Sequence, residues 1–144
     1  DDTFESEINR QVNLAIKEAD VILLVVDVNA GVTQFDMEVA HLLRQAKKET
    51  VLAVNKVDQF DQQYGAPEFY KLGLGEPYIL SAENGLRTGD LLDEICSRFK
   101  DTVAGEDLED LPRFAIVGRP NAGKSSILNA LDALDDLFHE RRKR

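Results

Sequence analysis

Residues Gly118 to Ser125 read Gly-Arg-Pro-Asn-Ala-Gly-Lys-Ser, a complete G-x-x-x-x-G-K-S pattern. The chemistry it suits is the holding of phosphate. Backbone N–H groups of such a loop, and of the helix start behind it, converge on an anion. Lys124 can reach the β- and γ-phosphates, and the Ser125 hydroxyl can ligate Mg²⁺. Gly118, Asn121, Ala122, Gly123 and Ser126 complete the candidate contacts. The blander alternative, a Gly-rich turn with an exposed lysine, fits the surroundings poorly. Phe114-Ala115-Ile116-Val117 reads as a buried strand before the loop, and Ser126 to Leu131 starts a helical pattern after it.

A second set of residues could read a base. Asn55-Lys56-Val57-Asp58 directly follows an apolar run, where open α/β sheets bind ligands. The Asp58 carboxylate suits guanine, whose N1–H and exocyclic amine form a donor pair that adenine lacks. The Lys56 stem can lie along the flat base, and Asn55 can tie neighbouring loops together. Taken alone, four residues recur by chance, and an ordinary polar turn explains them equally well. Ser81-Ala82 follows another apolar run, with Glu83-Asn84-Gly85 as a turn. Backbone N–H groups there could read the guanine O6. Alone it is a simple turn. Together the three motifs fall at the C-terminal ends of three expected parallel strands, a coincidence that chance explains poorly.

Other polar residues read more plainly. Asp27 ends a strand and is expected to cap a turn. His41 lies mid-helix and is expected to be exposed, and His139 belongs to the tail. Cys96 sits in the apolar stretch Leu91, Leu92, Ile95, Cys96, Phe99 and is expected to be a core thiol. The cations among Glu140 to Arg144 suit a helix C-terminus, and a solvated helix end is preferred to an RNA-contacting patch.

The elements that must position these residues follow from periodicity. Ile8, Val12, Ala15, Ile16 and Ala19 predict an amphipathic helix over Glu5–Glu18. Val21 to Val28 is a continuous β-branched and apolar run, the mark of a parallel strand covered on both faces. Val39, Leu42, Leu43 and Ala46 predict a second helix, with Lys47 and Lys48 at its C-terminal end. Val51 to Val54 is a second strand, Ala66 to Leu72 a short helix stopped by Gly73, and Tyr78 to Leu80 a third strand. Asp90 to Phe99 is a further helix with Asp90 as its expected cap. Residues 101–112 form an acidic linker. The expected class is α/β: a three-layer parallel sheet with helices on both faces, of the P-loop nucleotide-hydrolase kind. The organisation reads as residues 1–100 with the base-reading motifs, the linker, and residues 113–144 with the phosphate-loop strand and helix.

The 144 residues suit one core, with 43% hydrophobic and 31% charged residues. Seventeen Lys+Arg against 27 Asp+Glu give a net charge of −10, which argues against nucleic acid bound over the whole surface and against DNA as a partner. A single cysteine excludes an internal disulfide and fits a reducing, cytoplasmic compartment. No apolar run approaches a membrane span, and no signal peptide is visible. The chain starts Asp1-Asp2 without Met and is expected to be cut from something longer.

These residues resemble a family. Ala15 to Asp27, Asn55 to Asp58, Phe69 to Pro77, Ser81 to Gly85, the acidic linker and Gly118 to Ser126 are similar to Der (EngA), bacterial GTPases with two tandem GTP-binding domains. The resemblance covers roughly residues 4–131. It implies binding and hydrolysis of GTP with Mg²⁺, GDP as product, and a role in assembling the large ribosomal subunit, which would be the partner. Residues 1–100 resemble the latter half of the first GTP-binding domain, and residues 113–131 the opening of the second. In the family, then, the guanine-reading residues and this phosphate loop serve different nucleotide sites. No switch Thr follows the loop and no Asp-x-x-Gly precedes the first helix, so impaired hydrolysis is expected.

One site can still form. If the strand before the phosphate loop docks beside Val21–Val28, the sheet order becomes 4-1-2-3, all parallel, in a truncated and permuted arrangement. The return of the chain to the far side creates a switch point with its crevice at the C-terminal edge. Residues 101–112 can span up to ~40 Å, enough to cross the sheet, and the crossover should lie on the face opposite the earlier helices. The expectation is a guanine-nucleotide-binding unit, as a monomer or as a dimer that exchanges residues 113–144. The alternative is a non-catalytic fragment or rearranged scaffold with a formed but empty phosphate loop.

Overall fold

Strand β1 (Val21–Asp27) is apolar up to its last residue and buried along its whole length. In the computed structural model, which describes residues 2–99 and 113–143 and side chains over 6–99 and 113–133, it lies inside a four-stranded sheet. The order is β3-β2-β1-β4, with β2 at Glu49–Asn55, β3 at Pro77–Ile79 and β4 at Phe114–Gly118. Every pairing is parallel. This is the 4-1-2-3 order expected from the sequence, and it brings all four C-terminal strand ends to one edge. Asp27 pairs with Asn55 and Val25 with Gly118.

Alternation along the two central strands divides the core. Ile22, Leu24, Val26, Leu52 and Val54 pack against α1 (Asp2–Glu18), α2 (Gln34–Gln45) and a 3-10 helix at Phe60–Leu72. Val21, Leu23, Val25, Val51 and Ala53 pack against α3 (Thr88–Ser97) and α4 (Lys124–Lys143), which bring Leu91, Ile95, Ile127 and Leu131. The crossover from β3 to β4 therefore carries its helix on the face opposite the earlier ones. At the start of β4, Arg113 N donates to Asp20 Oδ2 (2.8 Å) and Asp20 N to the Arg113 carbonyl (2.8 Å). These bonds fix where β4 joins β1.

Four local readings change. The helix ending at Gly73 is 3-10 and begins six residues earlier than expected, at Phe60. Pro67 within it has no N–H to continue an α-helical ladder, and Gly73 closes it in a left-handed conformation with φ 69°. Helix α3 starts at Thr88, so Asp90 lies in its first turn and Arg87, with φ 62°, holds the cap position. Cys96 is exposed, because the buried stripe of α3 passes through Leu91 and Ile95 and the next residue is about 100° further round the helix. Helix α2 ends at Gln45 and leaves Lys47 and Lys48 beyond its last turn. Its start is closed by a reciprocal box in which Asp36 N donates to Thr33 Oγ1 (3.1 Å) and Thr33 N to Asp36 Oδ2 (3.0 Å). Burial raises the Asp36 carboxyl above its ordinary range, against the lowering effect of those bonds. The expected linker, 101–112, and the tail's cationic side chains lie outside the described residues. Among the described residues no helix is long and apolar enough to cross a membrane.

Leu24 has no exposed surface and sits mid-way along β1. Leu24→Ala is expected to cost about 3 kcal/mol, read as a lower urea midpoint at unchanged m-value. A loss under about 1 kcal/mol would contradict its place in a closed core.

Candidate functional site

The phosphate loop leaves the sheet at Gly118, where a Cβ would lie 2.6 Å from the Val25 carbonyl oxygen. Backbone cannot yield there, so β4 approaches β1 this closely only because the position is glycine. The loop then turns through Asn121 (φ 71°) and Gly123 (φ 101°), the conformations that Asn tolerates and Gly supplies. Ala122 N donates back to the Arg119 carbonyl (3.2 Å), and Ile127 N to the Gly123 carbonyl (3.0 Å) opens α4. The first-turn N–H groups of α4, at Lys124, Ser125 and Ser126, precede any intrahelical partner. They face the C-terminal edge of the sheet with the helix dipole behind them. Lys124 is half-buried, while Ser125 and Ser126 are exposed.

Asn55 joins this loop to the other two motifs. Its side chain is 3% exposed. Nδ2 donates to the Ala122 carbonyl (3.0 Å) and Oδ1 accepts from Ala82 N (3.1 Å). A Cβ on Gly123 would stand 2.2 Å from that Nδ2, so the glycine leaves the space that the amide fills. In this arrangement the Ala82 N–H is engaged by Asn55. Lys56 adopts φ 69° and its ammonium donates to the Asn121 carbonyl (2.6 Å) and pairs with Asp27 Oδ2 (3.1 Å). Asp27 also accepts from Asn29 N (2.8 Å), so it caps the expected turn and neutralises Lys56 as well.

Asp58 is exposed at the mouth of the crevice. Its Oδ1 accepts from Ser81 Oγ and from Asn84 Nδ2 (3.4 Å). An ionised carboxylate offers about four lone-pair positions, so two remain for two further donors. Ser81 is itself fully buried and paired across the turn with Leu86. Asn55, Lys56, Asp58, Ser81, Glu83, Gly123 and Ser126 line one cleft, which brings the base-side and phosphate-side candidates together. A larger hollow of about 290 Å³ lies between α1 and β4, touching the loop at Gly118, Pro120 and Lys124. Ile8, Val12, Ala15, Phe35 and Val117 line it together with Glu7, Gln11 and Lys124, and neither the Asn55–Asp58 loop nor the Ser81-Ala82 turn reaches it.

Three participants were not anticipated from the sequence: Glu83 in the lining, Asn84 on Asp58, and Gln62, whose Oε1 accepts from Asp58 N (2.8 Å). Single Gln or Asn residues in turns carry no spacing signal that would single them out. Among the described residues no cluster of three or more His, Cys, Asp or Glu could hold a metal unaided. The exposed Ser125 hydroxyl fits an ion such as Mg²⁺, which takes one or two protein oxygens and otherwise waters and phosphates.

Comparison with known proteins agrees with this architecture. Residues 3–72 match the family described as Elongation factor Tu GTP binding domain, and residues 113–136 the one described as 50S ribosome-binding GTPase. The chain is 60% identical over 132 residues to GTPase Der of Phocaeicola vulgatus, covering 90% of this chain and 30% of that protein. It is 58% identical over 130 residues to GTPase Der of Bacteroides fragilis, with the same coverage of 90% and 30%. Among solved structures, YjeQ from Thermotoga maritima superposes with a TM-score of 0.54 at 25% identity, covering 79% of this chain and 38% of that one.

Asn55→Ala would strand the Ala122 carbonyl and the Ala82 N–H in a buried place, at an expected cost of about 1–3 kcal/mol. Amide hydrogen exchange reports it directly. Ala82 N–H should be protected in the parent and should exchange much faster in the variant, and unchanged protection would disprove the contact.

Proposed function

Because the chain belongs to the Der GTPase family, of whose curated relatives it spans about 30% of the length, we propose that it binds GTP and GDP, with Mg²⁺, in one composite site. Residues 1–100 and 113–144 act in this reading as a single nucleotide-binding unit joined through 101–112. Gly118, Asn121, Ala122, Gly123 and Ser126 cradle the phosphates with their backbone, Lys124 offsets the β-phosphate charge, and the Ser125 hydroxyl holds Mg²⁺ together with phosphate oxygens. Asp58 reads the guanine N1–H and amine. Lys56 lies along the base, Asn55 and Ser81 hold the readers in place, and Ala82 borders the O6 side. The observation that carries the reading is the Asn55 amide, bonded at once to the phosphate loop and to the Ser81-Ala82 turn. A dimer exchanging residues 113–144 would build the same site from two copies, and mass in solution separates the two forms.

The whole protein is placed by the same reading in the assembly of the large ribosomal subunit, in the cytoplasm, supported by its Der relatives and by the 50S ribosome-binding description of the matching family. Hydrolysis by this chain is expected to be slow. Phosphoryl transfer needs a positioned water and charge stabilisation around the γ-phosphate. None of the residues proposed for the site is assigned to position such a water.

Titration with GDP and ADP tests the binding. GDP should bind at least roughly tenfold more tightly, the worth of a hydrogen bond to a charged acceptor. Asp58→Ala should reduce GDP affinity by about 10- to 100-fold and leave ADP unchanged. Equal binding of the two nucleotides, or none, would sink the proposal. A phosphate-release assay with GTP should show turnover well below about 10⁻⁴ s⁻¹, under the rate of an ordinary unassisted GTPase, and steady turnover at such an ordinary rate would contradict slow hydrolysis.

A further inference from the structure

Gln62 lies four residues beyond Asp58, in the first turn of the 3-10 helix, and is half-buried. Its Oε1 accepts from Asp58 N (2.8 Å) and from Gln59 N (2.7 Å). Two backbone N–H groups can only donate, so the oxygen must face them, and the amide orientation is fixed by chemistry. Its Nε2 is thereby turned outward and donates to Asn29 Oδ1 (2.9 Å). Asn29 follows β1, and its own N–H donates to Asp27 Oδ1. The other Asp27 oxygen meets the Lys56 ammonium, which reaches the Asn121 carbonyl of the phosphate loop. A continuous chain of polar contacts thus starts at the backbone of Asp58 and ends on the phosphate loop. The Asp58 side chain is oriented by Ser81 and Asn84, and its backbone by Gln62.

We infer that Gln62 is a positioning residue that sets how well Asp58 recognises the 2-amino group of a guanine nucleotide. The inference rests on the proposed guanine binding at this site. A carboxylate that accepts from N1–H and the amine together must lie in the plane of the base edge, since hydrogen bonds weaken steeply off-axis. Without an acceptor at position 62 the Asp58 N–H loses its anchor, and the carboxylate shifts relative to the base. The phosphate grip is affected less, because the Asn55 bonds to Ala122 and Ala82 are separate from Gln62. A residue that merely closed the N-terminus of the 3-10 helix would alter stability and leave nucleotide preference alone.

Inosine diphosphate, which keeps N1–H and O6 but lacks the amine, isolates the effect. Calorimetric titrations with GDP and inosine diphosphate in Mg²⁺ would compare the parent chain, Gln62→Met and Gln62→Glu. Met fills the same space with no oxygen acceptor, while Glu keeps an oxygen facing both N–H groups. The Met variant should lose roughly tenfold of its GDP preference, with inosine diphosphate affinity within about threefold of the parent. The Glu variant should keep the parent preference. Parent-like preference in the Met variant, whatever its stability, overturns the inference and leaves nucleotide binding intact. So does an equal loss for both nucleotides, or a Glu variant that behaves like the Met one. A parent that binds GDP and inosine diphosphate alike has no amine recognition to position, which also overturns it. A parent that binds neither removes the proposed function together with the inference.

Discussion

Parallel pairing between β1 and β4 is the constraint from which everything else at the edge of the sheet follows. Its register runs from Val21–Phe114 to Val25–Gly118, and it fixes both the height and the direction at which the phosphate loop emerges. The pairing is narrow in what it tolerates. Gly118 sits against the Val25 carbonyl with no room for a side chain, and Asp20 and Arg113 exchange hydrogen bonds at the other end. A slip by one residue would exchange the side chains that β4 presents to the two core layers, Phe114 and Ile116 for Ala115 and Val117. It would also carry the loop out of reach of Asn55.

On that frame, short polar side chains do the joining. Asn55 touches two loops, Lys56 reaches a third segment, and Asp27 stands between the ammonium and the turn after β1. Each spans only a few ångströms, so each works only if the strand ends are already aligned. The division of labour is physical: the ladder and its two apolar layers set position to within a residue, and the amide and ion pair refine it to hydrogen-bond distance. In the described side chains every fully buried polar atom has a partner, so this refinement leaves no orphaned donor inside.

The sheet order was legible because unbroken apolar runs such as Val21–Val26 admit few readings, and because two motifs with strict chemical spacing mark strand ends. The nature of the helix before Gly73 was less so, since Gly65 and Pro67 interrupt the backbone pattern without saying which helix replaces it. Cys96 was misplaced because its apolar neighbours are adjacent in sequence, while one position along a helix is a large rotation around it. Asp27 was read as a turn cap. The cap is there, and the ion pair to Lys56 could not be read because it joins two strands across the sheet. Asn84 was invisible for the same reason, since it meets Asp58 from 26 positions away. Gln62 meets the backbone of Asp58 and Gln59 locally, in a capping box without the usual Ser or Thr at its start, and only its contact with Asn29 depends on the tertiary fold.

The Asn55 contact joins residues 67 positions apart in the chain, and the Arg113–Asp20 contact residues 93 apart. Closing such distances carries an entropic cost that grows slowly with separation, and here it is met by a ladder of five residue pairs and a few side chains. A ligand that gripped Lys124 and Asp58 together would be a non-covalent cross-link across that junction. By mass action it would add about 2.7 kcal/mol to the folded state at a concentration 100-fold above its dissociation constant. In that thermodynamic sense, binding of such a ligand and the integrity of the β1–β4 seam would be one linked equilibrium.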